Sequence, residues 1–123
     1  MKYMILIHSN PASREIWEGF SDAQRAEGLG VYAALHEDLV ASGELIVSEA
    51  LADPSLTRRI PAQAGRALSG DGPFAEAKEH LAGFFLVECP DIDRAIEIAA
   101  RIPEAAGGLV EVQPVLDLGG TEM

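Results

Sequence analysis

Two stretches of this chain are apolar at consecutive positions, Met4-Ile5-Leu6-Ile7 and Phe84-Phe85-Leu86-Val87, whereas a third, Leu109 to Val115, alternates Val110 and Val112 with Glu111 and Gln113. Successive side chains of a strand point to opposite faces, so the first two runs predict strands covered on both sides and the third a strand with one wet face. Glu44 to Leu51 predicts a further strand. Two helices complete the pattern. Ser21, with Gln24 three residues later, forms a capping box that opens a helix running to Ser42, and Gly43 is its natural stop. At 3.6 residues per turn, Leu29, Tyr32, Ala33, His36, Leu39 and Val40 share the apolar side of that helix. Asp91 caps the second helix, with Ile92, Ala95, Ile96 and Ala99 inward, Arg94, Glu97 and Arg101 outward, and Pro103 just beyond its end.

Ser9 to Phe20 reads as a loop with a helical turn through Arg14 to Trp17, because Asn10-Pro11 and Ser13 are turn-forming residues. Residues 52–82 read as an insertion: a turn at Ala52 to Ser55, a short irregular hairpin around Pro61, the Asp71-Gly72-Pro73 turn, then one or two helical turns from Phe74 to Leu81. Without it the order is strand, helix, strand, strand, helix, strand, the split β-α-β unit of a ferredoxin-like α+β sandwich. A single domain over 1–116 with a polar tail, 117–123, is expected. In that topology the first and third main strands are central, and these are the two that are apolar on both faces. Two helices cover only one face of such a sheet. The other face of Met, Ile, Leu and Phe needs a cover, and a homodimer packed sheet against sheet is the expected one; a monomer covered by residues 52–82 is the alternative.

At 123 residues the chain is long enough to bury a core without staples. Its 9 Lys and Arg against 20 Asp and Glu give a net charge of −11, which repels phosphate backbones and excludes direct DNA or RNA binding as an expectation. The single cysteine, Cys89, sits in an apolar strand and reads as a small buried hydrophobe in a reducing, cytoplasmic setting. The apolar run of residues 3–7 is too short for a signal peptide or a membrane span. No Gly-rich phosphate loop, Ser nucleophile elbow or dinucleotide fingerprint is present, so no cofactor is expected. His8, His36 and His80 lie on separate elements and there is no Cys pair, so no metal site is expected either.

Tyr32 and His36 are spaced i, i+4 and stack on one helix face. A hydroxyl and an imidazole aimed at an apolar layer need partners: they line a pocket between helix and sheet, His36 as general base and Tyr32 as hydrogen-bond donor or acid, or they are satisfied core residues. Asp71, between two glycines, can approach a ligand without crowding or can serve the turn alone. Phe74 is a plug for that turn or a ligand platform. Lys78 is a solvated residue or closes over an anionic ligand. His8, at the end of the first strand beside Ser9 and Asn10, is a rim residue of the same candidate pocket. Arg101 reads as a helix-end arginine satisfying carbonyls.

The Asp71-Gly72-Pro73-Phe74 turn with Lys78, the apolar strand to Cys89, and the helix opened by Asp91 and closed by Ala100-Arg101-Ile102-Pro103 resemble the YCII-related family in its DGPF branch. The resemblance covers nearly the whole chain. It implies membership of the dimeric α+β barrels and a fold like that of muconolactone isomerases. It also implies a candidate active site around a helix histidine, at the position Tyr32 holds here, with His36 one turn later. One branch of the family includes dehydrochlorinase-type chemistry on ring lactones, which implies cofactor-independent acid/base or elimination chemistry. DGPF-type proteins are also linked by gene neighbourhood and fusion to extracytoplasmic-function sigma factors, which implies the alternative of a non-catalytic dimeric regulatory or interaction protein.

Overall fold

The computed structural model describes residues 1–60, the main chain of 70–71, and 78–118. Its elements are β1 (Lys2–Ser9), α1 (Pro11–Glu18), α2 (Asp22–Ser42), β2 (Leu45–Ala50), β3 (Arg58–Arg59), β4 (Gly70–Asp71), β5 (His80–Glu88), α3 (Ile92–Ala100) and β6 (Val110–Pro114), with short 3₁₀ turns at Pro54–Leu56 and Pro103–Gly107. The main sheet has the order β2-β5-β1-β6 with every neighbour antiparallel, the ferredoxin-like arrangement. The two strands that are apolar at consecutive positions, β1 and β5, occupy its centre. β3 and β4 pair through Arg58 with Asp71 and Arg59 with Gly70.

The sheet is open. β2 and β6 are its two edges and do not pair with each other, so the expected α+β barrel is not the architecture of this chain. Closure requires a row of strands long enough to return on itself, and four are too few. Both edges are also blunted in ways that discourage extension: β2 carries a register shift between Leu45 and Val47, and β6 ends in Pro114.

Tyr3, Ile5 and Ile7 of β1 and Phe85 and Val87 of β5 point to the helical side and pack with Leu35 and Leu39 of α2 and Ala95, Ile98 and Ala99 of α3. The Ile, Leu, Val and Phe side chains among them each stabilise the fold by about 1.5–3 kcal/mol. The inward stripe of α3 is therefore Ala95, Ile98, Ala99 and, one turn on, Ile102; Ile92 and Ile96 are 40% and 50% exposed and stand one position off the expected face. Cys89 is buried, and burial raises its thiol pKa, as expected of a hydrophobe rather than a nucleophile.

The opposite face of the sheet carries Met4 and Leu6 directly across from Leu86 and Phe84, all four half-buried. Val47 extends this square beside Leu86, while Glu49 lies next to Phe84, and Glu111 and Gln113 lie next to Leu6 and Met4.

Local chemistry explains where the chain departs from expectation. Residues 11–18 are a full helix and not a loop: Asn10 accepts from the Ser13 amide at 2.7 Å, Ser13 Oγ accepts from the Asn10 amide at 2.9 Å, and Pro11 fills the first helical position. Strand β5 starts at His80, where helical turns were expected up to Leu81, and His80 is half-buried opposite Ser9. Residues 72–77 of that stretch lie outside the described ones. Arg101 caps α3 with its backbone N–H, which donates to the Ile98 carbonyl at 3.1 Å, while its side chain reaches Asp38 on α2 at 2.6 Å. Among the described residues, no helix is long and apolar enough to cross a membrane.

Candidate functional site

The amino-terminal half of α2 stands off the sheet, because its apolar positions divide between two faces. Leu35 and Leu39 pack into the core, while Leu29, Ala33, His36 and Val40 are exposed. The space left between α2 and the β2–β5 side of the sheet is a groove of about 680 Å³. Leu29, Tyr32, Ala33 and His36 form its helical wall and Ser48 to Leu51 with Ala82 to Phe85 its sheet wall. Trp17 and Glu104 close the ends, with Trp17 edge-on to Phe20 and under the Arg25 guanidinium. Arg25 also donates to the carbonyls of Trp17 and Glu18 at 3.2 and 2.9 Å, fixing α1 to α2.

Gly83 in the floor is required by packing. A Cβ there would lie 2.9 Å from the carbonyl oxygen of Glu49, closer than real Cβ atoms come, so glycine allows β2 to run tight against β5 beneath the groove.

A second chamber of about 620 Å³ continues from the first across Trp17, Leu29, Tyr32, Leu51, Ala82 and Glu104. It is bounded by His8 and Ser9 of β1, Arg14 of α1, and Asp53 and Pro54. Arg14 donates from Nη1 to Ser9 Oγ at 3.1 Å.

Where the chambers meet, Tyr32 Oη donates to the Glu104 carboxylate. Burial, the hydrogen bond to Glu104 and the Glu104 charge all push the phenol pKa upward, so Tyr32 stays a neutral donor throughout the physiological range. Glu104 was not among the residues picked out in the sequence. It sits in the 3₁₀ turn after Pro103, 72 positions from Tyr32, and no local spacing connects the two.

The candidate residues do not all gather in one place. Tyr32 and His36 line the first chamber, but His36 is exposed, which overturns the alternative of a satisfied core histidine; it makes no hydrogen bond among the described residues. His8 lines the second chamber and its Nε2 lies 2.8 Å from Glu111 Oε1. Lys78 is exposed just ahead of β5 and lines neither chamber. The Asp71 main chain belongs to β4, but its side chain lies outside the described residues, as does Phe74. Among the described residues no group of three or more His, Cys, Asp or Glu is placed to hold a metal ion.

An uncharacterised protein of Rhizobium meliloti (strain 1021) is 29% identical over 117 residues, which cover 94% of this chain and 92% of that protein. Among solved structures, 5-chloro-2-hydroxyhydroquinone dehydrochlorinase from Burkholderia phenoliruptrix AC1100, in complex with 2,5-dihydroxybenzoquinone, superposes with a TM-score of 0.53 over 94% of each chain at 17% identity, a likeness of fold. The model of the YCII-related domain matches residues 1–119, and the chain belongs to the YCII-related family.

Proposed function

We propose that this protein binds a small molecule in the groove between α2 and the sheet and acts on it by cofactor-independent acid/base chemistry, elimination included. The observation that carries this reading is the groove itself: about 680 Å³ with mainly apolar walls, lined on its helical side by Tyr32, paired with Glu104, and by an exposed His36. Apolar concavities with a few convergent polar groups are the usual form of ligand sites. His36 is the proton-transfer group of the reading, because its ring nitrogens can accept and donate a proton and it has no competing partner among the described residues. Tyr32 contributes a hydrogen-bonding oxygen beside it. The dehydrochlorinase with its bound dihydroxybenzoquinone is a protein of similar fold that holds a ring-sized molecule, and it supports a ligand of that size. The Asp71-Gly72-Pro73-Phe74 motif supports placing the chain in the DGPF branch.

Ala33 provides the test. It is small, exposed and in the groove wall, so Ala33→Phe fills the groove without disturbing the core. In a fragment screen followed by two-dimensional NMR, hits should shift resonances of Tyr32, His36 and their neighbours in the wild-type protein and lose binding in Ala33→Phe. Hits that ignore the substitution would refute the reading.

A second reading, homodimerisation through the sheet as part of a regulatory or interaction role, is supported by the apolar square of Met4, Leu6, Phe84 and Leu86 on the open face. Glu49, Glu111 and Gln113 frame that square as a polar rim frames an interface.

A further inference from the structure

The hydrogen-bonded pair at the junction of the two chambers, Tyr32 and Glu104, presents only acceptors to a ligand. Tyr32 has one proton, and it is spent on Glu104; what its oxygen then offers to the groove is lone pairs. The Glu104 carboxylate is acceptor-only and retains further lone-pair sites after accepting from Tyr32. A ligand group that meets this pair must therefore donate. A carboxylate or carbonyl oxygen placed there would face lone pairs with no proton between them, and buried polar groups without partners are costly.

Charge narrows the class further. Among the described residues the first chamber is lined by no lysine or arginine, while Glu104 contributes a carboxylate to it. The second adds Glu18 and Asp53 against one guanidinium, Arg14, which donates to Ser9 and whose charge acts on Asp53. Opposite charge at close range in a partly desolvated site strengthens a hydrogen bond, so a charged donor gains more here than a neutral one. The remaining walls, Leu29, Ala33, Leu51, Ala82, Phe85 and the Trp17 ring, suit an apolar body.

Taken together, these features lead us to propose that the ligand of this groove is a protonated amine on an apolar, ring-sized body, its ammonium group donating to the Glu104 carboxylate and to Tyr32 Oη. The inference rests on the groove being a ligand site. Glu104 is then the recognition residue and Tyr32 the group that both orients it and shares its load.

The experiment compares 2-phenylethylamine, 2-phenylethanol and phenylacetate, which share a ring and reach and differ in the polar end, by calorimetric titration into the full chain. The amine should bind at least tenfold more tightly than phenylacetate, with the alcohol between them. Raised salt should narrow the gap by weakening the amine. Glu104→Gln, whose amide adds a donor and removes the charge, should cost the amine most of its advantage and leave the alcohol within a few-fold of wild type. Tyr32→Phe keeps the charge and should preserve the ranking. Phenylacetate binding as tightly as the amine, or an amine affinity indifferent to both Glu104→Gln and salt, would overturn the inference. If the alcohol binds and is lost in Ala33→Phe while the amine shows no preference, the groove stands and the amine assignment falls. If none of the three binds, both fall.

Discussion

Arg94 on α3 clasps Glu44 at the start of β2 through two parallel contacts, Nε to Oε2 at 2.9 Å and Nη2 to Oε1 at 2.8 Å, across 50 residues of sequence. Ser42 Oγ donates to the same carboxylate at 2.7 Å. The pair ties the end of α2 to α3, so it holds the far end of the helix whose near end forms the groove wall. The Arg94 bonds first, then the Ser42 bond, lower the Glu44 pKa to about 2 despite partial burial, which acts the other way. A carboxylate whose folded pKa is depressed stabilises the fold above its unfolded value and loses that contribution as pH falls through the folded value. The contribution should be complete above the ordinary value of 4.5 and vanish towards about 2. Urea midpoints measured from pH 5 to pH 2 should fall, and Arg94→Ala should flatten that limb while costing about 1–2 kcal/mol at neutral pH. An unchanged acid limb would show that the clasp is not held in solution.

Gly83→Ala tests the close approach beneath the groove. The added methyl meets a backbone oxygen, which cannot rotate away, so β2 must move. A loss of about 1–3 kcal/mol is expected, with amide shifts concentrated in residues 48–51. Alanine at wild-type stability would mean that β2 is looser than its geometry implies.

Phe84 and Phe85 point to opposite faces, and the structure says which is which: Phe85 is 5% exposed beneath the helices and Phe84 is half-buried on the open face. Phe85→Glu puts an unpaired charge in the core and should unfold the protein or cost more than about 3 kcal/mol. Phe84→Glu should leave the fold near intact and abolish self-association, since a charge in the centre of the apolar square prevents a second copy from seating. Light scattering on wild type and Phe84→Glu checks this. A wild-type protein that is monomeric at micromolar concentration would dispose of the sheet-to-sheet homodimer.

The ferredoxin-like order was legible because β1 and β5 are apolar at consecutive positions and only central strands can be, and because Ser21 with Gln24 and Asp91 mark helix starts by chemistry that needs no tertiary context. Helix α1 was misread because Asn10-Pro11 serves equally as a turn and as an N-cap followed by a first-turn proline; only the Ser13 reciprocal bond decides. The orientation of α2 was not legible. Its apolar residues form two overlapping i, i+4 rows, Leu35–Leu39 and Leu29–Ala33 with His36–Val40, and spacing alone does not say which row meets the sheet. That ambiguity hid both the exposure of His36 and the groove. Glu104 was hidden for another reason: its meeting with Tyr32 is a product of tertiary folding and leaves no local trace. The openness of the sheet is likewise a property of strand count and edge geometry, which the family resemblance did not convey.

The tyrosines offer a further check on the site. The chain has two, Tyr3 and Tyr32, and both are raised: Tyr3 by burial, Tyr32 by burial and then by Glu104. An acid whose folded pKa is raised favours the folded state below its unfolded value and ceases to do so as pH climbs. Phenolate absorbance at about 295 nm should therefore develop at higher pH in the folded protein than in free tyrosine, which is half-ionised near pH 10. Glu104→Gln removes the charge and should move one of the two titrations down, while Tyr32→Phe should eliminate that same step. Ionisation of the Tyr32 phenol at or below the pH of free tyrosine in the folded protein would contradict the placement of that ring.

His36→Gln separates chemistry from architecture. The imidazole is exposed on the groove wall, with no hydrogen-bond partner among the described residues, so nothing in the core depends on it and the substitution should change stability by no more than about 0.5 kcal/mol. Tyr32→Phe, in contrast, breaks a hydrogen bond to Glu104 and should cost about 0.5–1.5 kcal/mol. If His36 moves the proton in the proposed reaction, His36→Gln should abolish turnover of any substrate identified for the groove while leaving its binding within a few-fold of wild type. Turnover that survives His36→Gln would remove His36 from the chemistry.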